Sequence, residues 1–297
     1  MTPGLTSGKH KYLTIALFLL PSLAFLGLFT YYPIISSFYL SFFRSDPFTA
    51  KPIFIGLQNY IEFIHNPVFW QVITNNVIFA VGTILPTMLL ALCFAILIDE
   101  VALKSFFRGS LFLPKVVPYA ALAMIWVFLY EPNIGPINRF LDLLGLPTIG
   151  WLGSSQSSLF AIIITMIWRN FGYYMLIYLA GLQNISRDLY DSARVDGASW
   201  LNRHLHVTIP LLGPSTLFVF VVSIIQSFKA FTQVQLMTRG GPGYSSSILI
   251  YYTYEFAFKF WKMGKASTLT SIMILMLIFL VILAFGFYGR RITYEMK

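Results

Sequence analysis

The sequence predicts an all-α integral membrane protein with about six transmembrane helices. Of its 297 residues, 57% are hydrophobic and only 10% are charged, and the mean hydropathy is +0.74. Soluble domains carry about 25% charged residues, so a soluble globular protein is excluded. The apolar runs are long and separated by polar breaks, which favours spanning helices over the short alternating strands of a membrane barrel.

Six apolar runs are the predicted spans. They lie at residues 14–38, 72–98, 110–130, 158–180, 211–231 and 266–289. The first run follows a basic stretch at residues 9–11 and so resembles a signal peptide, but it continues through Phe43 without a small-residue cleavage site. We interpret it as a retained anchor helix that is kinked near Pro21 or Pro33.

The distribution of Lys and Arg predicts that both termini are cytoplasmic. With this orientation the cytoplasmic segments hold ten of the 20 Lys and Arg residues and the outer segments hold seven, a bias in the direction of the positive-inside rule. The cytoplasmic tails are then residues 1–11 and 290–297, and the outer segments are residues 44–70, 131–157 and 232–265. These segments are too short for a separate domain, so we expect residues 1–297 to form a single transmembrane domain.

The net charge of +9 would suggest a nucleic-acid partner in a soluble protein. Here most basic residues flank the predicted spans, and membrane topology explains the excess, so nucleic acid is not an expected partner.

Cys93 is the only cysteine and lies in an apolar run, which excludes a disulfide within the chain and predicts a small buried residue. His204 and His206 are poorly spaced for a metal site. We therefore expect neither a bound metal nor an enzyme active site.

One segment, residues 189–210, is charged enough to form a soluble helix. Ser186 is a candidate N-cap before it, and Asp191 lies near the positive end of the helix dipole. The Asp-Gly pair that ends at Gly197 breaks the helix, and Pro210 opens the next span. The pattern predicts a short helix, a bend and a second short helix, which together form a docking element for another protein.

The spacing of acidic, small and β-branched residues in this segment resembles the EAA loop of permease subunits of ATP-binding-cassette (ABC) importers. The matching residues are Asp191, Ser192, Ala193, Gly197, Val207, Ile209 and Pro210. Asp191 stands where the family usually has Glu, Ser192 where it has Ala, and His204 where Phe is common.

Other stretches resemble the carbohydrate branch of this family, which includes maltose and glycerol-phosphate permeases. They are Pro33 with Ser41-Phe42, the sequence FIGLQNY at residues 54–60, Leu113-Pro114 opening the third span, and TRGGP at residues 238–242, where the family has TGGGP. The resemblance therefore extends over nearly the whole chain.

The resemblance implies a type I ABC importer permease fold with a cytoplasmic coupling (EAA) helix in the loop 183–210. It implies that an extracytoplasmic binding protein delivers the solute, that two permease chains, usually different, form the pathway in the cytoplasmic membrane of a prokaryote, and that two ATPase subunits bind ATP and Mg²⁺. The coupling residues that it implies are Leu189, Tyr190, Asp191, Ala193, Asp196, Gly197, Ala198 and Pro210. The sequence contains no GxxxxGK[ST] phosphate-binding loop, so ATP hydrolysis is expected in a separate chain.

Polar groups on the fourth and fifth spans are the candidate solute pathway. Such groups are costly in lipid and usually face a cavity or a partner helix. In the carbohydrate permeases that this chain resembles, polar residues of these spans line the cavity, which implies a role for Asn170, Tyr174, Ser223, Gln226 and Ser227. Hydrogen bonding between the two permease chains is the open alternative. Arg169 and Lys229 either meet an anionic solute or snorkel to the interface, and snorkelling is expected for Lys115.

The outer TRGGP turn, with Gly240, Gly241 and Pro242, is the expected docking point for the binding protein.

A secondary transporter or channel for a small polar solute is the alternative class. Such a protein should show an internal repeat or an acidic residue in the core of a span, and the sequence shows no acidic residue there. A membrane-embedded enzyme would need nucleophiles or metal ligands in register, and these are absent from the spans.

Overall fold

The computed structural model describes residues 8–46, 51–101 and 103–288. Residues 1–7 of the predicted N-terminal tail and the whole predicted C-terminal tail, residues 290–297, lie outside the described residues.

The described chain is almost entirely helical. Its first half contains α1 (Gly8–Leu26), a π turn (Gly27–Tyr31), α2 (Tyr32–Leu40), strands β1 (Phe43–Arg44) and β2 (Ile53–Phe54), α3 (Gln58–Ile64), α4 (Pro67–Asp99), α5 (Lys104–Val116), α6 (Tyr119–Leu129) and α7 (Pro136–Leu143). Its second half contains α8 (Ser158–Leu182), α9 (Arg187–Val195), α10 (Trp200–Arg203), a π turn (His204–Thr208), α11 (Ile209–Leu211), α12 (Gly213–Phe228), α13 (Phe231–Met237), α14 (Leu249–Tyr254), a π turn (Glu255–Lys259) and α15 (Met263–Tyr288).

The helices account for the six predicted spans. Four stretches are each long and apolar enough to cross a membrane: Tyr12–Leu40, Pro67–Asp99, Ser158–Leu182 and Met263–Gly286. Two bent pairs pass the same test together: α5 with α6, bent by 96°, and Trp200–Leu211 with Gly213–Phe228, bent by 67°. Counted as one span each, these pairs bring the number to six.

The third span, predicted at 110–130, is broken into the two helices α5 and α6. Pro118 has no backbone N–H, and the residue before a proline avoids the helical region. Val117 is accordingly extended, with ψ 129°, and α6 starts after Pro118. Pro114 does not open the span but lies buried inside α5.

The irregularity of the first span lies at the π turn Gly27–Tyr31, beyond Pro21 and directly before Pro33. Pro33 cannot donate to the carbonyl four residues earlier, and a wider π turn accommodates such a missing hydrogen bond. The predicted disturbance near Pro33 is therefore present as a change of helix type.

The described residues form two compact units. The first takes in the described chain up to Phe63 and the segment Glu255–Ile272. Within it β1 pairs antiparallel with β2, and the Asn59 amide donates to the carbonyls of Ser41 (3.0 Å) and Phe43 (3.1 Å). The strand pair was not predicted, because strands of two residues have no alternating pattern of apolar and polar side chains.

The second unit takes in Ile64–Tyr254 and the described chain from Met273. Its core forms where α4 packs on α8, with α5 and α12 against the same pair. Gly172 of α8 faces α5 so closely that a Cβ there would overlap the Leu111 carbonyl. Cys93 is exposed on α4, so the prediction that it is buried is wrong: none of the described residues covers it.

Candidate functional site

The coupling segment, residues 183–210, begins with the predicted capped helix. The Ser186 hydroxyl accepts a hydrogen bond from the Asp188 amide (3.4 Å), which confirms the N-cap of α9. At the other end the amides of Gly197 and Ala198 donate to the carbonyls of Arg194 (3.0 Å) and Ala193 (2.9 Å), the paired bonds of a Schellman motif. Gly197 has φ +77°, a left-handed conformation that side chains disfavour. The predicted helix break is confirmed.

The predicted second helix is α10, which continues through a π turn into α11. Ser199 caps it by accepting from the Asn202 amide (3.4 Å). Tyr190 of α9 and Thr208 of the π turn share a hydrogen bond of 2.9 Å, and Thr208 is fully buried. This bond holds the two short helices at a fixed angle across the bend.

The surface of α9 is open, since none of its residues is buried. Leu189 and Val195 are exposed apolar residues, and Val195 is 89% exposed. Asp191 pairs with Arg194 at 3.1 Å on the helix surface. Ala193 and Ala198 are half-buried, and Asp196, Gly197 and Pro210 are exposed. The segment therefore presents a small apolar patch edged by charges.

A groove of about 610 Å³ lies beside it, lined by acidic and basic side chains that include Asp99, Glu100, Lys104, Arg187, Asp191 and Arg194.

The five candidate solute residues lie together. Asn170 and Tyr174 of α8 and Ser223, Gln226 and Ser227 of α12 line one cavity of about 20 Å³, which is completed by Thr83, Ile84, Thr87 and Met166. The two threonines of α4 were not among the predicted site residues, although their spacing of four residues inside a span puts both hydroxyls on one helical face. The volume has room for about one water molecule, so the cavity is closed to a sugar in this conformation.

The hydroxyl groups around this cavity donate within their own helices. Thr83 donates to Phe79 O (2.7 Å), Thr87 to Thr83 O (2.5 Å), Ser223 to Val219 O (2.6 Å) and Ser227 to Ile224 O (2.8 Å). A hydroxyl that donates its proton in this way can still accept a hydrogen bond through a lone pair. The cavity wall therefore presents hydrogen-bond acceptors, which suit the O–H donors of a polyhydroxylated solute.

Arg169 and Lys115 lie at the break in the third span, where each has partners within the chain. Arg169 is 5% exposed, stacks on the Tyr119 ring at 3.6 Å and donates from Nη2 to the carbonyls of Lys115 (3.1 Å) and Val117 (3.3 Å). These carbonyls end α5, and a cation there also complements the helix dipole. Lys115 donates to Asn170 Oδ1 (2.8 Å) and lies 4.7 Å from the centre of the Tyr173 ring. Lys229 differs, since it is exposed at the C-cap of α12.

The residues that follow the TRGGP turn are anchored on α4. Gln71 donates to Gly243 O (3.1 Å), and Asn75 donates to Tyr244 O (2.8 Å) and Ser247 O (3.0 Å). Gly240 is buried with φ +76°, and a Cβ there would meet the Tyr251 ring at 2.6 Å. Gly241 is half-buried, while Arg239, Pro242 and Gly243 are exposed. The conformation of the turn therefore depends on Gly240, and its accessible surface is formed by the other residues.

Known proteins resemble this chain over most of its length. Residues 88–293 match the family model described as "Binding-protein-dependent transport system inner membrane component". The chain is 34% identical over 277 residues to the probable ABC transporter permease protein YurN of Bacillus subtilis (strain 168), covering 92% of this chain and 94% of YurN. It is also 34% identical over 282 residues to the lactose transport system permease protein LacF of Rhizobium radiobacter, covering 93% of each chain.

The fold is also that of a solved transporter. The structure matches a chain of a bacterial ABC transporter involved in the import of the acidic polysaccharide alginate, with a TM-score of 0.81, 22% identity, and coverage of 95% of this chain and 96% of that one.

These likenesses and the six-span helical fold exclude the alternative of a stand-alone secondary transporter or channel. The chain is the transmembrane component of its transporter and not the ATPase. It belongs to the family of binding-protein-dependent transport system inner membrane components, as a multi-pass permease subunit of a prokaryotic ABC importer.

Proposed function

We propose that this permease carries a sugar or sugar-like solute through the cavity between α4, α8 and α12. The observation that carries this proposal is the meeting of amide, hydroxyl and phenol groups from three spans at one point of the fold. Sugars have many hydroxyl donors and apolar ring faces, and acceptors beside aromatic side chains suit both. The relative LacF, named for lactose transport, supports the same class of solute.

The pathway requires a second permease subunit, which we propose is a different chain. Residues 1–297 would form a single transmembrane domain with cytoplasmic N- and C-termini, lying in lipid and against this partner. The cavity residues of one chain then form one side of the pathway, and the cavity opens when the two permeases move. Hydrogen bonds from Ser223, Gln226 and Ser227 to the partner permease are the other role open to these side chains.

Energy would enter through the coupling segment. We propose that α9, with its exposed apolar patch, docks on one of two ATPase subunits, which bind ATP and Mg²⁺, so that this chain itself needs no cofactor. The residues that would take part in coupling are Leu189, Tyr190, Asp191, Ala193, Asp196, Gly197, Ala198 and Pro210. An element that docks on a moving surface can shift a two-state equilibrium, because its contacts differ between the two states. At the outer face the turn with Gly240, Gly241 and Pro242 would receive the extracytoplasmic binding protein.

Reconstitution tests the solute role. The full complex is placed in proteoliposomes with the cognate binding protein, whose ligand is first identified by calorimetry with a panel of sugars and polyols. Gln226→Ala should lower ATP-dependent uptake about fivefold, as expected for the loss of one hydrogen bond to a solute, while Thr216→Ala, on the same helix but outside the cavity lining, should not. Equal uptake by both variants, or a ligand unrelated to sugars, would contradict the proposed solute.

A further inference from the structure

The side chain of Glu100, at the cytoplasmic end of α4, makes a polar contact with the coupling segment. Trp200 Nε1 donates to Glu100 Oε1 at 2.9 Å, and His204 Nε2 lies 3.6 Å from the same oxygen. The Trp200 and His204 rings pack edge to face, with centroids 4.4 Å apart. Glu100, the C-cap residue of α4, thus bonds to α10 and to the π turn that follows it.

The contact continues to α9. His204 Nδ1 and Thr208 Oγ1 share a hydrogen bond of 2.8 Å, and Thr208 Oγ1 shares another of 2.9 Å with the Tyr190 hydroxyl. The His204 side chain is only 13% exposed, and Thr208 is fully buried. A continuous set of polar contacts therefore links the helix α9 to the end of α4.

Helix α4 leads from this contact to the cavity. It forms one helix of 33 residues from Pro67 to Asp99, and Pro86 within it leaves one backbone hydrogen bond unmade. Thr83 and Thr87 of this helix line the cavity. The direct route from the coupling segment, through α11 into α12, contains the 67° bend before Gly213. A single helix transmits a displacement along its axis more directly than a bent pair does.

We propose that Glu100 is a positioning residue that couples the docked segment to α4, so that motion of the ATPase reaches the cavity through α4 as well as through α12. This inference rests on the proposed docking role of α9. Its physical basis is that a hydrogen bond to a carboxylate is stronger than one between neutral groups, and that Glu100 is the α4 cap residue that makes such a bond to the coupling segment. The adjacent Asp99 instead forms an ion pair with Lys104, 3.2 Å away, across the connection between α4 and α5.

The experiment compares variants of this contact in the full complex with its binding protein, reconstituted in proteoliposomes. The readout is the amount of solute taken up per ATP hydrolysed. Glu100→Ala and Trp200→Phe should each lower this ratio about fivefold, the effect of losing one hydrogen bond of ordinary strength. Their double variant should lower it no further, because both changes remove the same bond.

Two further variants separate positioning from general disturbance. Glu100→Gln keeps an oxygen that accepts from Trp200 and should restore most of the coupling. Asp99→Asn changes a neighbouring carboxylate without touching the coupling segment and should behave like the unaltered protein. If Glu100→Ala fails to assemble, Trp200→Phe decides the question, since it removes only the indole N–H from the contact.

Two results would overturn the inference. One is a normal ratio of solute taken up to ATP hydrolysed in Trp200→Phe, and the other is a loss in the double variant equal to the product of the two single losses. The outcome is distinguishable from failure of the docking role itself. If Gly197→Pro leaves coupling intact, the proposed role of the whole segment fails. If Gly197→Pro uncouples the complex while the Glu100 and Trp200 variants do not, only the route through α4 is wrong.

Discussion

At the scale of single residues, buried cations are stabilised here by carbonyls and aromatic rings. Arg169 is nearly inaccessible, and among the described residues no ion pair joins it or Lys115 to an acid. The guanidinium donates to two carbonyls that the break in the third span leaves at the end of α5. A charged group inside a span is costly unless it finds such partners, so Arg169 stabilises the break.

We expect Arg169→Met to lower the free energy of unfolding by about 2 kcal/mol, because the two carbonyls lose their charged donor. The stability of Arg169→Lys should lie between that of this variant and that of the unaltered protein, because a lysine ammonium lacks the planar set of N–H donors of a guanidinium. Thermal unfolding of the chain in detergent micelles measures the difference. Lys229→Met, which removes an exposed cation from the end of α12, is the matched control, and equal losses in both would contradict the assignment.

The ion pair between Glu62 and Lys265 should make stability depend on pH. Lys265 Nζ lies 2.5 Å from Glu62 Oε2, and this hydrogen bond, aided by the positive charge and partly opposed by burial, lowers the pKa of the Glu62 carboxyl. A carboxyl whose pKa is lower in the folded state stabilises that state above its unfolded pKa, and the contribution is lost as the pH falls through the folded value.

The Tm of the unaltered chain should therefore exceed that of Glu62→Gln at pH 7. The difference should shrink as the pH falls below about 4.3, the ordinary pKa of a glutamate carboxyl, and through the lower pKa that the Glu62 carboxyl has in the folded chain. Melting curves in detergent between these pH values measure it. A difference in Tm that does not change with pH would show that the pair contributes through packing alone.

At the scale of elements, caps and prolines decide where helices end. Ser186 starts α9, the left-handed Gly197 ends it, and Pro118 starts α6 after an extended residue. The first two follow from local sequence, because each cap satisfies backbone groups within a few residues of itself. The 96° bend after α5 depends in addition on α8, which supplies the arginine that holds the broken end.

Gly197→Pro should leave the chain inserted and assembled but separate ATP hydrolysis from uptake. Proline fixes φ near about −65° and has no N–H, whereas Gly197 has φ +77° and donates to the Arg194 carbonyl. The angle between α9 and α10 must therefore change. Gly197→Ala should have a weaker effect of the same kind, since it disfavours the left-handed conformation without excluding it. Uptake and ATPase rates of the complex, measured together, provide the check, and normal coupling in the proline variant would contradict the docking role.

At the scale of the whole molecule, the chain exposes far more apolar surface than a soluble protein does. The most apolar stretch of Tyr12–Leu40 has no residue buried within the chain, and exposed Leu, Ile and Phe side chains lie along most spans. Such surface requires lipid or a partner subunit to cover it. In the proposed orientation, this membrane face, a cytoplasmic face and an outer face would each contact other molecules.

The outer face supplies a prediction about the binding protein. Arg239 is exposed in the TRGGP turn, and reversing its charge should disturb a partner that docks there. Arg239→Glu should raise the concentration of binding protein needed for half-maximal ATPase stimulation about fivefold, with basal activity unchanged. Arg139→Glu, an equally exposed change in another outer segment, is the control. If the two variants respond alike, this turn is not the docking point.

The family resemblance predicted much of the candidate site. It implied a shared role for Asn170, Tyr174, Ser223, Gln226 and Ser227, and all five line one cavity. The partners of Arg169, the contribution of Thr83 and Thr87, and the anchoring by Asn75 of the residues after the outer turn were not predicted. Each depends on residues brought together from distant parts of the chain, and Asn75 donates to a carbonyl 172 positions away.

The sequence by itself determined the membrane class, the number of spans, the capped helix in the coupling segment and the polar faces of α8 and α12. These features depend on local effects. Apolar side chains favour lipid wherever they lie in the sequence, and capping residues form hydrogen bonds with backbone groups a few residues away. Only the tertiary structure decided that the third span breaks, that a buried arginine holds the break, that five polar side chains share one closed cavity, and that Glu100 meets Trp200. These outcomes depend on which helices pack together, and packing is a property of the whole chain.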